Sequence, residues 1–421
     1  MPFAAAVIAA LVPVAAAGGS DDGTSERGRP GARVVGAVYT QTNNPAGNRV
    51  VVFNRRANGK LFKRQSVATG GAGSTQNVGC GANCPILDSN YAVVNDGRLV
   101  FAVNAGSDTI TSFRDTGRRL IRVDTNPSGG DMPEGIAVHD GLLYVLNVNT
   151  ANGNGTTGNI SGMRYTRSGQ LSSIPGSSQP LANFSPPEPP ASPPGGAATA
   201  RSISFKPNGR VIVVPELAAN MGAGAIDTFV IRPNGRARPV TAYPSARPFP
   251  FGTDFNSNDT LVVANLENPD PATRTDGSVS TYRVTNTGNV IPIATKSSQG
   301  ELPCWVTVTG NDRFSFVVNT GDEDPVSGPP ATVAKYRLTT SGGLGFRGLT
   351  PERPNEFART DIALSRNSRY AYVLAPSVGV PGVPASHIDV YRVTPRGHLV
   401  FIQKTRAGAN LGIGATGVAA R

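Results

Sequence analysis

Apolar and polar positions alternate in short runs between residues 132 and 174. The apolar runs are rich in β-branched and aromatic residues, and Gly, Asn and Asp separate them, as at His139-Asp140-Gly141 and Arg167-Ser168-Gly169. Such residues tolerate positive φ in tight turns, so the pattern is typical of an antiparallel meander. The stretch therefore predicts one four-stranded sheet, whose strands we name a, b, c and d in chain order.

The same unit recurs along the chain. Six complete a-b pairs are predicted, at 91–94 with 99–104, Ile136 with Tyr144, 203–205 with 211–216, 253–255 with 261–265, 306–308 with 314–319, and 362–364 with 370–375. A seventh b strand at 34–40 has no a strand before it, and 417–420 reads as an a strand with no b strand after it. Pairing of the N- and C-terminal strands would complete this blade. The sequence predicts an all-β, seven-bladed β-propeller closed in that way.

The residues before the first strand differ from the rest of the chain. Residues 1–17 are apolar and end in three alanines, which predicts a signal peptide, although no basic residue lies near Met1 and the start is consistent with a position inside a longer signal. Residues 18–33 are polar and Gly-rich, as in a disordered lead-in, and 34–421 form the propeller. The expected location is therefore outside the cytoplasm, in the periplasm or the extracellular space.

The net charge of +11 raises the question of anionic partners. Lys and Arg are scattered singly through predicted turns, without a basic stripe interleaved with aromatics, so we expect a solvated surface and no nucleic-acid partner. The apolar segment at the start is too short to span a bilayer, so no membrane span is expected. A monomer is the expected state.

Cysteine and histidine are scarce. Cys80 and Cys84 are separated by three residues and are predicted to form a disulfide in an oxidising compartment. Zinc is the alternative, but Cys304 is the only other thiol and the chain has three histidines. No nucleophile elbow, zinc-protease, phosphate-loop or dinucleotide motif is present. We therefore expect neither a metal nor a cofactor.

Long connections follow strand b or strand d in several blades. They are predicted at 149–158, 175–200, 217–225, 266–276, 320–330 and 376–386, and the Pro-rich 175–200 is expected to contain no regular structure. In an up-and-down blade the b-c and d-a connections share one face. The candidate site therefore lies on this long-loop face, at the mouth of the axial channel.

The starts of strands a and the ends of strands b reach that mouth. The predicted a-starts are Asn90, Glu134, Arg201, Asp254, Trp305, Arg359 and Asp361, and the b-ends are Asn104, Asn147, Glu216, Asn265 and Asn319. The asparagines are expected to bond neighbouring loop backbone. The charged residues either bind a ligand or form ion pairs that brace the channel. Trp305 is either a ligand platform or a packing residue between blades.

Several blade segments resemble the seven-bladed propeller lactonase family, which includes bacterial 6-phosphogluconolactonases and fungal 3-carboxymuconate cyclases. The segments are 99–107, 143–147, 158–162, 204–210 and 304–306. The resemblance implies a site of Arg, Glu and His on the inner strands. Arg201 matches the Arg, Glu216 matches the Glu to within one position, and no predicted inner strand carries a His.

Two functions follow. The first is a secreted lactonase or lactonising enzyme for a small anionic metabolite, in which Arg201, Arg247 and Arg359 hold a carboxylate or polarise a carbonyl. Glu216 or Asp361 would then transfer the proton. Glu134, Asp254 and Trp305 complete the predicted binding residues. The second is a non-enzymatic binding or scaffold propeller for an unknown extracellular ligand, which the missing His favours.

Overall fold

The ring architecture is described by a computed structural model, which covers residues 33–74, 87, 89–148, 158–182, 200–217, 223–267, 275–321, 330–351, 359–376, 385–405 and 411–421. The described strands form seven antiparallel sheets. No described residue is helical. The seven-bladed β-propeller predicted from the sequence is confirmed.

The first four sheets give blades 1 to 4. Blade 1 contains β29 (Thr416–Ala420), β1 (Val34–Gln41), β2 (Arg49–Arg56) and β3 (Leu61–Ala68), and blade 2 contains β4 (Val93–Asp96), β5 (Leu99–Asn104), β6 (Thr109–Asp115) and β7 (Leu120–Pro127). Blade 3 contains β8 (Pro133–His139), β9 (Leu142–Asn147), β10 (Asn159–Tyr165), β11 (Leu171–Ser173) and β12 (Gln179–Pro180). Blade 4 contains β13 (Ser204–Phe205), β14 (Val211–Glu216), β15 (Ala225–Val230) and β16 (Thr241–Pro244).

The remaining sheets are blades 5 to 7. Blade 5 contains β17 (Pro250–Phe255), β18 (Thr260–Asn265), β19 (Asp276–Val284) and β20 (Val290–Glu301), and blade 6 contains β21 (Pro303–Val308), β22 (Phe314–Asn319), β23 (Thr332–Leu338) and β24 (Leu344–Leu349). Blade 7 contains β25 (Thr360–Leu364), β26 (Tyr370–Ala375), β27 (His387–Val393) and β28 (Leu399–Lys404).

The core lies between the blades. Strand b is buried along its whole length in blades 2, 4, 5, 6 and 7, because each of its faces packs against a neighbouring blade. One apolar cluster joins blades 2, 3 and 4 through Phe101, Tyr144 and Phe229. Burying a side chain of this size contributes about 2 to 3 kcal/mol, so contacts between the sheets stabilise the ring.

Ring closure uses the two complementary half-blades. β29 pairs with β1 in antiparallel register, with Tyr39 opposite Ala419 and Thr40 opposite Val418. Asp115 of blade 2 adds a polar clamp, since its Oδ2 accepts from the Tyr39 hydroxyl at 2.5 Å and lies 2.9 Å from Arg64 and 3.2 Å from Arg421. These bonds connect the N- and C-terminal strands of blade 1 to blade 2, because Tyr39 lies on β1 and Arg421 follows β29.

The connections depart from expectation in one place. The short strand β12 pairs with β10, with Ile160 opposite Gln179, inside a segment predicted to lack regular structure. That prediction is wrong here because the chain folds back onto the free edge of β10 beyond the end of β11, where backbone donors are available. The rest of the predicted loops lie largely outside the described residues, as do the signal peptide, the lead-in at 18–32 and the Cys80-Cys84 disulfide.

Candidate functional site

The inner strands begin with a repeated backbone device on the long-loop face. A residue with positive φ precedes a proline in three blades, at Met132 (51°), Phe249 (52°) and Leu302 (48°). The following proline opens the strand, and the register with strand b then shifts through a bulge, as between Pro133 and Gly135. Proline is accommodated there because a bulge leaves a ladder donor unused. The bulged residues of successive blades therefore lie next to one another around the axis.

Glu134 occupies such a position in blade 3, and Arg201 lies just before β13, the inner strand of blade 4. Arg201 Nη1 donates to Glu134 Oε1 at 2.6 Å, and both side chains are buried. Arg201 Nη2 has no hydrogen-bond partner although it is shielded from solvent. A guanidinium with one occupied and one open amino group can bind a further oxygen, because its donors form a rigid fork.

Glu216 lies beside Arg201 at the end of β14, since it pairs with Ala200 across the two strands. Its side chain does not form an ion pair with Arg201, whose Nη1 is bonded to Glu134 of the neighbouring blade. Glu216 instead lies close to Asp227 on β15, and both carboxyl groups are buried. Burial, followed by the negative charge of Glu216, raises the pKa of Asp227 to about 8, while the backbone N–H of Ala182 opposes the rise. The pair therefore holds a proton near neutral pH.

Blades 2, 3 and 5 have neutral residues at the positions equivalent to Glu216 and Asp227. An asparagine ends strand b and donates through Nδ2 to a hydroxyl on strand c, from Asn104 to Thr111 at 2.9 Å and from Asn265 to Ser280 at 3.0 Å. Asn147 and Ser161 form the same bond in blade 3 at 3.2 Å. These asparagines thus bond strand c, in place of the loop backbone expected from the sequence. Blade 4 replaces a neutral amide-hydroxyl pair with two carboxyl groups, which packing alone does not require.

Asp254 and Asp361 lie on the inner strands of blades 5 and 7. Each carboxylate accepts two backbone N–H bonds, one of them from the next blade's inner strand, at Val308 (2.7 Å) and Val418 (2.7 Å). Burial raises the pKa of Asp254 to about 6 and that of Asp361 to about 7. Burial and the two negative charges also raise the pKa of Tyr91. The bonds between blades give Asp254 and Asp361 a bracing role.

Trp305 crosses the axis. Its Nε1 donates to the carbonyl of Ser89 at 2.9 Å, which joins blade 6 to the start of blade 2, and its ring packs edge-on against Phe251 at 5.5 Å between centroids. Blades 2 and 6 are three positions apart in a ring of seven, so the indole lies over the channel near its mouth. The side chain is 1% exposed, and these contacts match the packing interpretation of Trp305.

The two remaining predicted arginines lie elsewhere. Arg359 is buried in blade 7, where Nη1 donates to Ala331 O at 3.0 Å and Nη2 lies 3.3 Å from Asp389 Oδ2. His387 Nε2 lies 3.8 Å from the other oxygen of Asp389. Arg247 is 47% exposed and pairs with Glu267 at the rim of blade 5. The structure therefore joins Arg201 with Glu134 and places it beside Glu216, and does not join Arg247, Arg359 or Asp361 to them.

The histidine assignment needs one correction. β8 extends to His139, so an inner strand does carry a histidine, contrary to the sequence prediction. The ring packs against Phe205 at 5.8 Å and lies 3.5 Å from Asp140, at the end of the strand opposite the long loops. His139 is therefore on the face away from Arg201.

Sequence reasoning missed Asp227 and Asp389. Both are the third residue of strand c, in Ala225-Ile226-Asp227 and His387-Ile388-Asp389, where blades 2, 3 and 5 have Ser or Thr. Aligning the blades on strand c would have found them as two acidic exceptions to a hydroxyl position. Within the described ranges, no cluster of three or more His, Cys, Asp or Glu is arranged to bind a metal, and no helix has the length and apolarity to cross a membrane.

Comparison with known proteins places the fold. No protein-family model and no curated protein matches the sequence. A candidate 6-phosphogluconolactonase from Bacteroides fragilis is 15% identical over 93% of this chain and 100% of its own, with a TM-score of 0.62. One from Bacteroides uniformis is 16% identical over 92% and 100%, with a TM-score of 0.66. The periplasmic gluconolactonase of Pseudomonas aeruginosa is 17% identical over 91% and 98%, with a TM-score of 0.64.

These similarities define the class of the protein. The chain is a seven-bladed β-propeller with the fold of the 6-phosphogluconolactonase-like propellers, and it matches them over nearly the whole length of both chains. At this level of identity the comparison concerns the fold, so the chemistry has to be argued from the residues of blades 3 and 4.

Proposed function

We propose that the protein is a lactone hydrolase that acts on a small anionic lactone at the long-loop face of blades 3 and 4. The observation that supports this is that blade 4, unlike blades 2, 3 and 5, has Glu216 and Asp227 in place of the amide-hydroxyl pair. Glu216 pairs with Ala200, the residue before Arg201, whose Nη2 has no partner. Buried carboxyl groups and an unsatisfied guanidinium donor destabilise a fold, so a function is the physical reason to keep them.

Hydrolysis of a lactone requires a donor for the carbonyl oxygen, a base for the attacking water and an acid for the leaving ring oxygen. Arg201 Nη2 binds the lactone carbonyl oxygen and stabilises the negative charge that develops on it when water attacks the carbonyl carbon. The Glu216-Asp227 pair takes the proton of the attacking water. It returns a proton to the ring oxygen when the C–O bond breaks, which gives a hydroxy acid from one lactone and one water. A pair that already shares a proton can do both without a second acid.

Glu134 would act as a positioning residue. Its ion pair holds Nη1 and so fixes the direction of Nη2, since the guanidinium is planar. The open donor at Nη2 suits a carboxylate or a polarised carbonyl oxygen of the substrate. All four side chains are buried, so a substrate reaches Arg201 only when a path from the loop face opens.

The test converts blade 4 to the pattern of the other blades. We expect the double variant Glu216→Asn/Asp227→Ser, and Arg201→Gln separately, to lower kcat/KM for carboxylated γ- and δ-lactones by about a hundredfold or more. Asn265→Ala/Ser280→Ala changes the equivalent positions of blade 5 and should keep the wild-type rate within about threefold, with a lower Tm.

The outcomes separate the two functions considered from the sequence. Wild-type turnover by the converted blade 4 would remove the pair from the chemistry. Binding of the lactones without turnover by the wild type, measured by calorimetry and lost in Arg201→Gln, would identify a binding propeller. A chelator should leave the rate unchanged, since this scheme uses side chains only.

A further inference from the structure

The face opposite the long loops carries a second, unrelated feature. The second-to-last residue of strand c is an exposed arginine in five blades, namely Arg114, Arg164, Arg283, Arg337 and Arg392. An aromatic residue or methionine precedes each of them and points inward, so the alternation of the strand directs the arginine outward. Arginines that are far apart in the sequence therefore lie on one face.

The arginines are densest at blades 6 and 7. Three grooves of about 580, 620 and 490 Å³ meet around Arg313, between the short turns of blades 5, 6 and 7. Their cationic lining consists of Arg313, Arg337, Arg347, Arg366, Arg369, Arg392 and Arg396, all of them exposed.

The charge of this groove system is not neutralised within the described residues. None of the groove arginines forms an ion pair with another described residue. The acidic residue of the lining, Asp312, already accepts from the backbone of Ser257 and from the side chains of Ser257 and Asn258. Several like charges held this close repel one another, and an anion that spans them removes the repulsion.

The remaining lining indicates which anion fits. Exposed amide and hydroxyl groups at Asn311, Asn367 and Thr340 alternate with the arginines and can bond sugar hydroxyls. The two phenylalanine rings of the lining are already engaged. Arg313 lies over Phe314 at 5.5 Å, and Phe346 packs edge-on against Tyr336 at 5.7 Å. Among the described lining residues, His398 is the exposed aromatic ring, so the groove offers far more charge and hydrogen-bonding groups than surface for stacking bases.

We infer that this groove system binds a linear anionic polysaccharide, with sulfate or carboxylate groups held by the arginine forks. Arginine suits such groups because its planar fork can make two parallel bonds to them. The surface is separate from the lactone site, since it lies on the opposite face of the ring and shares no residue with blades 3 and 4.

The experiment uses the full chain and fluorescently labelled probes of similar length. These are a sulfated heparin-derived oligosaccharide, an oligogalacturonate, a single-stranded DNA and neutral dextran, each titrated at 50 and 200 mM salt. Binding of at least one of the two anionic saccharides, tighter than DNA and weakened by salt, is the expected result.

Two matched variants locate the binding. Arg313→Gln/Arg369→Gln/Arg392→Gln removes three charges from the grooves and should weaken saccharide binding by about tenfold or more. Arg114→Gln/Arg210→Gln/Arg283→Gln removes three exposed charges from the same face outside them and should change it by less than about threefold.

Three results would overturn the inference. Equal losses in the two variants would mean that binding follows the overall charge. Tighter binding of DNA than of either saccharide would assign the surface to nucleic acid. No saccharide binding by the wild type at 50 mM salt would leave the arginines as a solvated surface.

Discussion

Replacing Asp227 with Asn should make the protein less sensitive to alkaline pH. The pKa of this carboxyl rises from 3.8 to about 8 in the folded chain, mainly through burial and then through Glu216. Below about pH 4 the group is protonated in both states. Between pH 4 and 8 the unfolded chain loses the proton while the folded chain retains it, so the free energy of unfolding falls as pH rises.

The size of the effect follows from the same shift. Each tenfold difference in proton affinity is worth about 1.4 kcal/mol, so from pH 5 to 8 the wild type loses at most about 4 kcal/mol through this group. A ring of ~390 residues unfolds with an entropy of about 0.8 kcal/mol/K. The expected fall in Tm is therefore about 5 °C more in the wild type than in Asp227→Asn.

Scanning calorimetry at half-unit intervals from pH 5 to 8.5 measures this difference. Asn is the suitable replacement because its carbonyl can still accept from the backbone N–H of Ala182, which donates to Asp227 at 2.8 Å. The comparison with wild type cancels the parallel contributions of Asp254 and Asp361, whose pKa values are also raised. Identical pH profiles for Asp227→Asn and wild type would refute the assignment of a shared proton to blade 4.

Two further substitutions test the packing and closure of the ring. Gly300→Ala should destabilise the protein by about 1 to 3 kcal/mol, because a Cβ there would lie 2.2 Å from the buried Asn319 Nδ2. The control Gly345→Ala, whose Cβ would have no atom closer than 3.8 Å, should change the stability little. Equal melting temperatures of the two variants would contradict this. Asp115→Asn should lower the free energy of unfolding by about 2 to 3 kcal/mol, since it leaves Arg421 beside a neutral group where the ring closes. An unchanged midpoint of urea unfolding would contradict this.

The fold was predictable because its determinants are local. Alternation of apolar residues and Gly, Asn or Asp turns marks each hairpin without reference to the rest of the chain, and β5 and β14 match the predicted bounds. Closure was predictable because two half-blades remained at the chain ends. β12 was not predictable, since its pairing depends on where the folded β10 edge happens to lie free.

The site was only partly predictable because its contacts cross between blades. Position along a strand correctly places Arg201, Glu134 and Glu216 on the long-loop face. The choice of Glu134 as partner of Arg201 depends on the neighbouring blade's bulge, 67 residues earlier in the chain. The groove arginines escaped notice for the same reason: they are single residues in the sequence and neighbours only in the ring.

The bonds across the axis limit how the ring can deform. Trp305 joins blade 6 to blade 2, and the Tyr91 hydroxyl joins blade 2 to blade 5 by donating to Thr253 O at 2.7 Å. Both links cross the centre, so widening the ring or tilting a single blade outward would break at least one of them. These two links therefore oppose any change in the diameter of the propeller.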